Sequence, residues 1–464
     1  MRDNKNHLAV MVILIMAVGA FLWTGCSGGK KATRTIMLYG CGSNLETEYG
    51  MLTWNLHQIL ESDIPSDVNV VVLTGGSLEW QTEAEYLNGA KKIGTDVPNQ
   101  VWVCSGKNGK DAENGHGKMT LVKDGPSIIN NTSMADPVTL QGFVDYAAET
   151  YPAEKYDLIL WDHGGGPHGG FALDDLHYDD KAMSLAEMVS ALQNSSVEHF
   201  DMIDFDACLM GSVEVVAAFG DMADSLVLSS ETEPGYGQNY IAMLSALTED
   251  SNMDSYEFSK KIVDGYLAFY EDEKSPGFEQ TATLTAIDSR NFKDRLMGPV
   301  SELANHMNAE LSKPGEKNQK FNYYDEYIAS AISYAYSEPE MLDLGSFAGT
   351  LGISMYEIDN DPFYEDLSNS YSGISTNLQK VLADQDSSGD DVLYNRFTKD
   401  LTKENGNKMG VVRGRNFLVS GSDWDGGQYN RYEGFSLENL HLDAGRNFDG
   451  RCGESSGRNG GCPG

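Results

Sequence analysis

The strongest chemical signal in this sequence is a pair of short apolar runs that each empty into a reactive turn. Asp157-Leu158-Ile159-Leu160-Trp161 ends in Asp162-His163-Gly164-Gly165-Gly166, and Met202-Ile203-Asp204-Phe205 ends in Asp206-Ala207-Cys208-Leu209-Met210. A thiol and an imidazole at the ends of neighbouring elements can carry out acyl transfer: the thiolate attacks a carbonyl, and the imidazole activates the thiol or protonates the leaving amine. The backbone N–H groups of Gly164 and Cys208 could line an oxyanion hole, with glycine permitting close approach of a carbonyl. A single Cys or His would read as buried structure. Two at adjacent strand ends read as a site.

The elements that must position them follow from local pattern. Between the two runs, Ser184-Leu185-Ala186-Glu187 has the form of a capping box and opens a helix to about residue 193. A strand–helix–strand unit of this length crosses over right-handedly, so both strands run parallel and their C-terminal ends share one edge, where open α/β sheets bind ligands. The pattern of residues 209–219 is helical, which predicts that the thiol sits at a helix N-terminus and is acidified there. Upstream, Thr35-Ile36-Met37-Leu38-Tyr39 predicts a buried strand, followed by a helix over residues 45–61 and a strand over 68–73. Residues 77–133 predict a hairpin insertion at the sheet edge, and residues 137–151 an amphipathic helix. Downstream come a strand from Val227 with a polar loop to Gly237, helices over 255–270, 291–310 and 325–336, and a strand over 282–288. The fold class expected is α/β around a mostly parallel sheet. Gly40 and Gly42 begin like a dinucleotide fingerprint, but Leu45 occupies the third glycine position.

With 41% hydrophobic and 22% charged residues, 464 residues can bury a sizeable core. Against 33 basic residues stand 70 acidic ones, and a net charge of −37 argues against a general nucleic-acid binder. At the N-terminus, Arg2 and Lys5 precede an apolar run over residues 8–22, and Leu22-Trp23-Thr24-Gly25-Cys26 resembles a bacterial lipoprotein signal. That resemblance implies a leader over residues 1–25, a lipid on Cys26, a tether over 26–34 and export to a bacterial membrane, at the outer membrane or cell surface. Trp23 stands where Leu is usual. Of the other five cysteines, Cys452 and Cys462 could bridge one another in the tail, while Cys41 and Cys104 read as buried apolar residues.

Taken together, Thr35–Tyr39 with Asn44-Leu45-Glu46, Leu158 to Gly164, Phe205 to Glu214, and Ser230-Glu231-Thr232-Glu233-Pro234-Gly235 resemble the clostripain-type cysteine peptidases, relatives of caspases, gingipains and legumain. The resemblance implies a caspase-like α/β/α sandwich, assigned to residues 35–270 with a C-terminal mixed extension over 271–440; the Gly-, Arg- and Asn-rich composition of 441–464 predicts a flexible tail. The resemblance also implies a Cys208–His163 dyad and endopeptidase cleavage of polypeptides after Arg or Lys. The acidic residue two before the nucleophile, here Asp206, would lie at the base of the pocket for that basic side chain. A carboxylate there binds Arg by a bidentate fork and Lys as a point charge. Glu231 or Glu233 would form a second acidic wall, and Asp204 is the rival strand-end acid without a pocket role. Such chains are often activated by cleavage between the two catalytic blocks, where Lys181 is the lone basic side chain; Lys181-Ala182 is the processing bond expected.

Other readings compete. His163, His168, Asp174, Asp175, His177, Asp179 and Asp180 are dense enough in ligand types for a metallohydrolase, although their spacing fits no HExxH or CxxC pattern. Asp384, Asp386 and Asp390 match the first half of an EF-hand calcium loop, but Asp391 and Asn395 depart from its second half. Calcium is thus a candidate ligand, with no cofactor required. A third possibility is a non-catalytic surface binding protein on a caspase-like scaffold.

Overall fold

The computed structural model describes residues 31–81, 93–94, 97–123, 125–126, 129–278, 280, 282–314, 341–351, 362–382, 392–397 and 410–412. Cys26 with its leader, the helix expected over 325–336, the calcium candidates Asp384, Asp386 and Asp390, and the tail with Cys452 and Cys462 lie outside them.

Five apolar runs form the parallel centre of a nine-stranded sheet: β1 (Ala32–Cys41), β2 (Val68–Gly75), β5 (Ala153–Trp161), β6 (Phe200–Asp206) and β7 (Ala223–Leu228), adjacent in the order β2-β1-β5-β6-β7. These strands are apolar on both sides because helices cover both faces. Beyond β2 lies the expected hairpin, β3 (Gln100–Ser105) and β4 (Lys118–Leu121); beyond β7, β8 (Thr283–Asp288) and β10 (Leu393–Phe397) continue the sheet antiparallel. Two short strands, β9 (Met341–Asp343) and β11 (Gly410–Val412), pair separately.

The helices divide by face. On one side α2 (Met51–Glu61), α6 (Tyr240–Ala246) and α7 (Ser255–Glu271) pack Leu52, Leu56, Tyr240 and Tyr266 against Ile36, Leu38, Ile159 and Trp161. On the other, α3 (Pro137–Thr150), α4 (Leu185–Gln193), α5 (Val213–Phe219) and α8 (Ser289–Ser312) pack Phe143, Met188, Val213 and Leu296 against Met37, Tyr39, Leu158 and Phe205. Helices α9 (Leu344–Leu351) and α10 (Pro362–Leu382) extend that second layer. The result is an α/β/α sandwich.

Two details differ from the sequence expectation. The helix expected over 45–61 is two helices, α1 (Ser43–Tyr49) and α2, broken at Gly50 in the left-handed conformation. Helix α5 begins only at Val213, capped by Ser212, so Cys208 lies in an irregular turn ahead of the helix and not at its N-terminus. The capping box at α4 forms as expected, with Ser184 and Glu187 bonding each other's backbone N–H. It fixes the crossover that makes β5 and β6 parallel neighbours, with Trp161 opposite Asp206. Chain direction then brings both reactive turns to one edge.

Candidate active site

The two turns touch. A Cβ built on Gly164 would lie 2.1 Å from the Cys208 carbonyl oxygen and 3.1 Å from its nitrogen, so only glycine lets these backbones approach. The Gly164 and Cys208 N–H groups thus lie beside the thiol, where backbone donors can stabilise an oxyanion.

The Cys208 turn is laced to the segment that follows β7. Leu209 N–H donates to the Glu231 carbonyl at 3.0 Å, Gly211 N–H to the Ser229 carbonyl at 2.6 Å, and Ser230 Oγ to the Gly211 carbonyl at 2.6 Å. Leu209 is held at φ 64°, a left-handed conformation that costs a branched residue about 1–3 kcal/mol. The thiol itself accepts from Glu233 N–H at 3.2 Å and donates to the Glu233 carbonyl at 3.7 Å. Burial pushes the Cys208 thiol up and the His163 imidazole down from their ordinary values. Both shifts run opposite to the acidified thiolate expected from a helix N-terminus and favour the neutral thiol and the neutral imidazole.

His163 is oriented by residues beyond β1. Its Nε2 lies 2.7 Å from Asn44 Oδ1, which sets the tautomer with the proton on Nε2 and the lone pair on Nδ1. Ser43, at φ 47°, donates through Oγ to Asp162 Oδ1 at 2.7 Å, and Leu173 N–H donates to Asp162 Oδ2 at 2.5 Å. Burial pushes Asp162 up to about 7, against the pull of these donors. Asp162, Ser43, Asn44 and His163 thus close a ring between the ends of β5 and β1. Asn44 stands within one of the sequence segments that carry the family resemblance, yet nothing in its local pattern marks it as a partner of His163.

Beside the thiol lies a cluster of buried acidic side chains. Asp204 and Asp206 share one face of β6, at 0% and 4% exposure. Asp206 Oδ2 accepts from Tyr240 OH at 2.8 Å and Gln238 N–H at 3.3 Å, and Asp204 Oδ1 accepts from Gln238 Nε2 at 2.8 Å. Glu233 is turned inward: both its carboxyl oxygens are buried without a well-formed hydrogen bond. Burial first, then the charge of Asp206, raises Glu233 well above the usual carboxylate range, while burial raises Asp206 to about 6. Tyr240, Tyr266 and Tyr270 approach these acids from α6 and α7, and all three phenols are raised by burial foremost and by the acids. Gly237, at φ 64°, passes so close that a Cβ there would meet both Asp206 oxygens at 3.1 Å. Asn55 and Tyr270 hold this loop through the Tyr236, Gln238 and Gly237 carbonyls. Of the two candidate acidic walls, Glu233 supplies the buried carboxyl, and Glu231 contributes main-chain bonds to the Cys208 turn.

Lys181 and Ala182 lie between two anchored segments. Before them, Asp174 caps the turn Asp175–His177 and accepts from Met134 N–H at 2.7 Å; after them, Met183 pairs with Phe171. Lys181 is exposed. The same bonds commit Asp174 to capping and His163 to Asn44, and among the described residues no group of three or more His, Cys, Asp or Glu side chains is arranged to hold a metal.

Comparison with known proteins agrees with this geometry, since the model of the clostripain family matches residues 42–415, most of the chain. The chain belongs to the clostripain family of cysteine peptidases. Clostripain from Hathewaya histolytica is 33% identical over 123 residues, an alignment that spans 23% of this chain and 23% of that protein. An inactive zymogen C11 protease from Parabacteroides distasonis matches with a TM-score of 0.55 at 17% identity, covering 83% of this chain and 92% of its own. A secreted C11 cysteine protease from Bacteroides thetaiotaomicron, solved with an irreversible peptide inhibitor, matches at 0.51 and 17% identity over 83% and 94%. At such identities the likeness extends to the fold, which is that of clostripain-family peptidases.

Proposed function

We propose that this clostripain-family chain is a cysteine endopeptidase that cuts polypeptides after Arg or Lys. The observation that carries the reading is the pair of buried carboxyls, Asp206 and Glu233, beside Cys208, with which no Lys or Arg among the described residues forms an ion pair. Burying acids without a partner is costly, and a guanidinium or ammonium arriving with the substrate would relieve that cost. Asp206 ionised and Glu233 protonated would leave the pocket one negative charge near neutral pH.

In the reaction proposed, His163 Nδ1 takes the Cys208 proton as Sγ attacks the scissile carbonyl. The oxyanion is held by the Gly164 and Cys208 N–H groups. The imidazolium then gives its proton to the leaving amine as the C–N bond breaks, leaving a thioester on Cys208. Water attacks the thioester, His163 takes its proton, and the thiol re-forms as the carboxylic product departs. Asn44 acts through His163 as a positioning residue.

Three finer features belong to the same proposal. The exposed Lys181-Ala182 bond fits a self-cleavage that activates the chain. Cys26 fits lipid attachment after export, and a Bacteroides neighbour of the same fold is described as secreted. Calcium at Asp384, Asp386 and Asp390 would be an accessory ligand, with no cofactor in the chemistry. Turnover of Arg- and Lys-terminated fluorogenic peptides is the test, with Cys208→Ala and His163→Ala as controls expected to abolish it. Mass spectrometry should find a cut after Lys181 in the wild type and an intact chain in Cys208→Ala. Failure to cut any basic peptide after confirmed processing would sink the reading in favour of a binding protein.

A further inference from the structure

We propose that the exposed apolar side chains of Leu78 and Leu176, which line one hollow, with Leu173 and Tyr178 exposed in the same loop as Leu176, form a patch that is a substrate subsite for apolar side chains on the leaving-group side of the scissile bond. The inference rests on the peptidase reading above. These four side chains are 62%, 47%, 38% and 87% exposed, and they come from the loops that leave the C-terminal ends of β2 and β5, on the edge that carries Cys208 and His163. Beneath them Leu78 and Leu176, with Ser77, Trp80, Val97 and Pro98, line a hollow of about 150 Å³. Clustered exposed apolar side chains of this kind mark binding surfaces.

The order of the strands decides what binds there. The acidic pocket lies on the β6–β7 side of Cys208, so the basic side chain and the residues before it occupy that side. The leaving amine must come within reach of His163, which stands on the β5 side of the thiol. The chain beyond the cut therefore continues from the end of β5 across β1 towards β2, where the patch begins. Its loops are pinned before any substrate arrives. Leu78 N–H donates to Thr47 Oγ1 at 3.1 Å, Asp175 N–H to the Gly76 carbonyl at 3.0 Å, Leu173 N–H to Asp162, and Leu176 N–H to Asp174 at 2.8 Å. A surface already ordered binds without the entropy cost of arranging itself. Asp174, Asp175, Asp179 and Asp180 follow or flank the patch in the same loop, so an acidic residue after the cut would meet like charge.

The experiment uses processed full-length protein and internally quenched peptides identical up to the Arg at the cut. The two following residues are Leu-Leu or Asp-Asp, and a third substrate carries a coumarin leaving group directly after Arg. The Leu-Leu peptide is expected to exceed the Asp-Asp peptide in kcat/KM by about tenfold or more, mainly through KM. That ratio should fall towards one in Leu176→Asp and, separately, in Leu78→Asp. A ratio near one in the wild type, or one that both variants leave unchanged while the coumarin substrate is still cut, overturns the subsite and spares the peptidase reading. Loss of cutting of all three substrates by the wild type overturns both.

Discussion

Two groups of buried acids lie on the neighbouring strands β5 and β6 and have been resolved in opposite ways. In one, Asp157 of β5 pairs with Arg34 of β1 at 2.6 Å with both side chains wholly buried. The guanidinium also donates to the Met253 carbonyl at 2.8 Å and the Ser251 carbonyl at 3.3 Å, and it lies over the Phe258 ring at 4.9 Å. In the other, Asp204 and Asp206 accept from the Gln238 and Tyr240 side chains, and among the described residues no Lys or Arg forms an ion pair with them or with Glu233. The first group holds its cation as structure. In the second, under the proposed function, the substrate's basic side chain would take that place, and instability would be stored where binding can use it.

The comparison breaks first at Arg34. Arg34→Met leaves Asp157 buried and unpaired, and chemical denaturation should report a loss of about 3–5 kcal/mol, with the double variant Arg34→Met/Asp157→Leu recovering much of it. If Arg34→Met costs less than 1 kcal/mol, the pair is not acting as structure. Asp206→Asn should do the reverse: thermal stability rises, while kcat/KM for Arg substrates falls about 100-fold, the worth of one charged hydrogen bond to the guanidinium. A stability loss in Asp206→Asn would mean that the pocket acids are structural.

The pH dependence sharpens the contrast further. Asp206 has a folded-state pKa raised to about 6, so it binds protons more tightly folded than unfolded. Its contribution to stability is present at low pH and is lost as pH rises from about 4 to about 6. Over that window kcat/KM for Arg substrates should rise as the pocket ionises. Opposed trends in melting temperature and activity are the signature, and the activity rise should be missing from the residual turnover of Asp206→Asn. The smallest effect is expected at Asn44: Asn44→Ala should lower kcat by about tenfold through a less well oriented His163, with KM little changed. An equal loss in melting temperature and KM would instead mark Asn44 as a general structural residue.

Much of the fold was legible because its signals are local. Apolar runs of strand length, the Ser184–Glu187 capping box and the chirality of the crossover were enough to bring His163 and Cys208 to one edge. The start of α5 was misread because residues 209–212 are apolar or small and look helical, whereas Leu209 and Gly211 bond the segment after β7 instead of their own turn. That substitution of tertiary for local hydrogen bonds removes the helix N-terminus from the thiol. Glu231 and Glu233 could not be told apart in sequence, since an irregular loop has no period to say which side chain faces inward.

By itself, then, the sequence determined what depends on neighbours along the chain: the strands, the crossover, and the shared sheet edge of His163 and Cys208. Only the tertiary structure decided what depends on groups far apart in the chain. It set the neutral state of the Cys208–His163 pair, because burial is a property of the packed edge. It buried the Glu233 carboxyl, joined Asn44 to His163 across the β1–β5 boundary, and supplied a cation to Asp157 while, among the described residues, pairing none with Asp206. Charge compensation in a buried site depends on distance in space, and no local pattern encodes it.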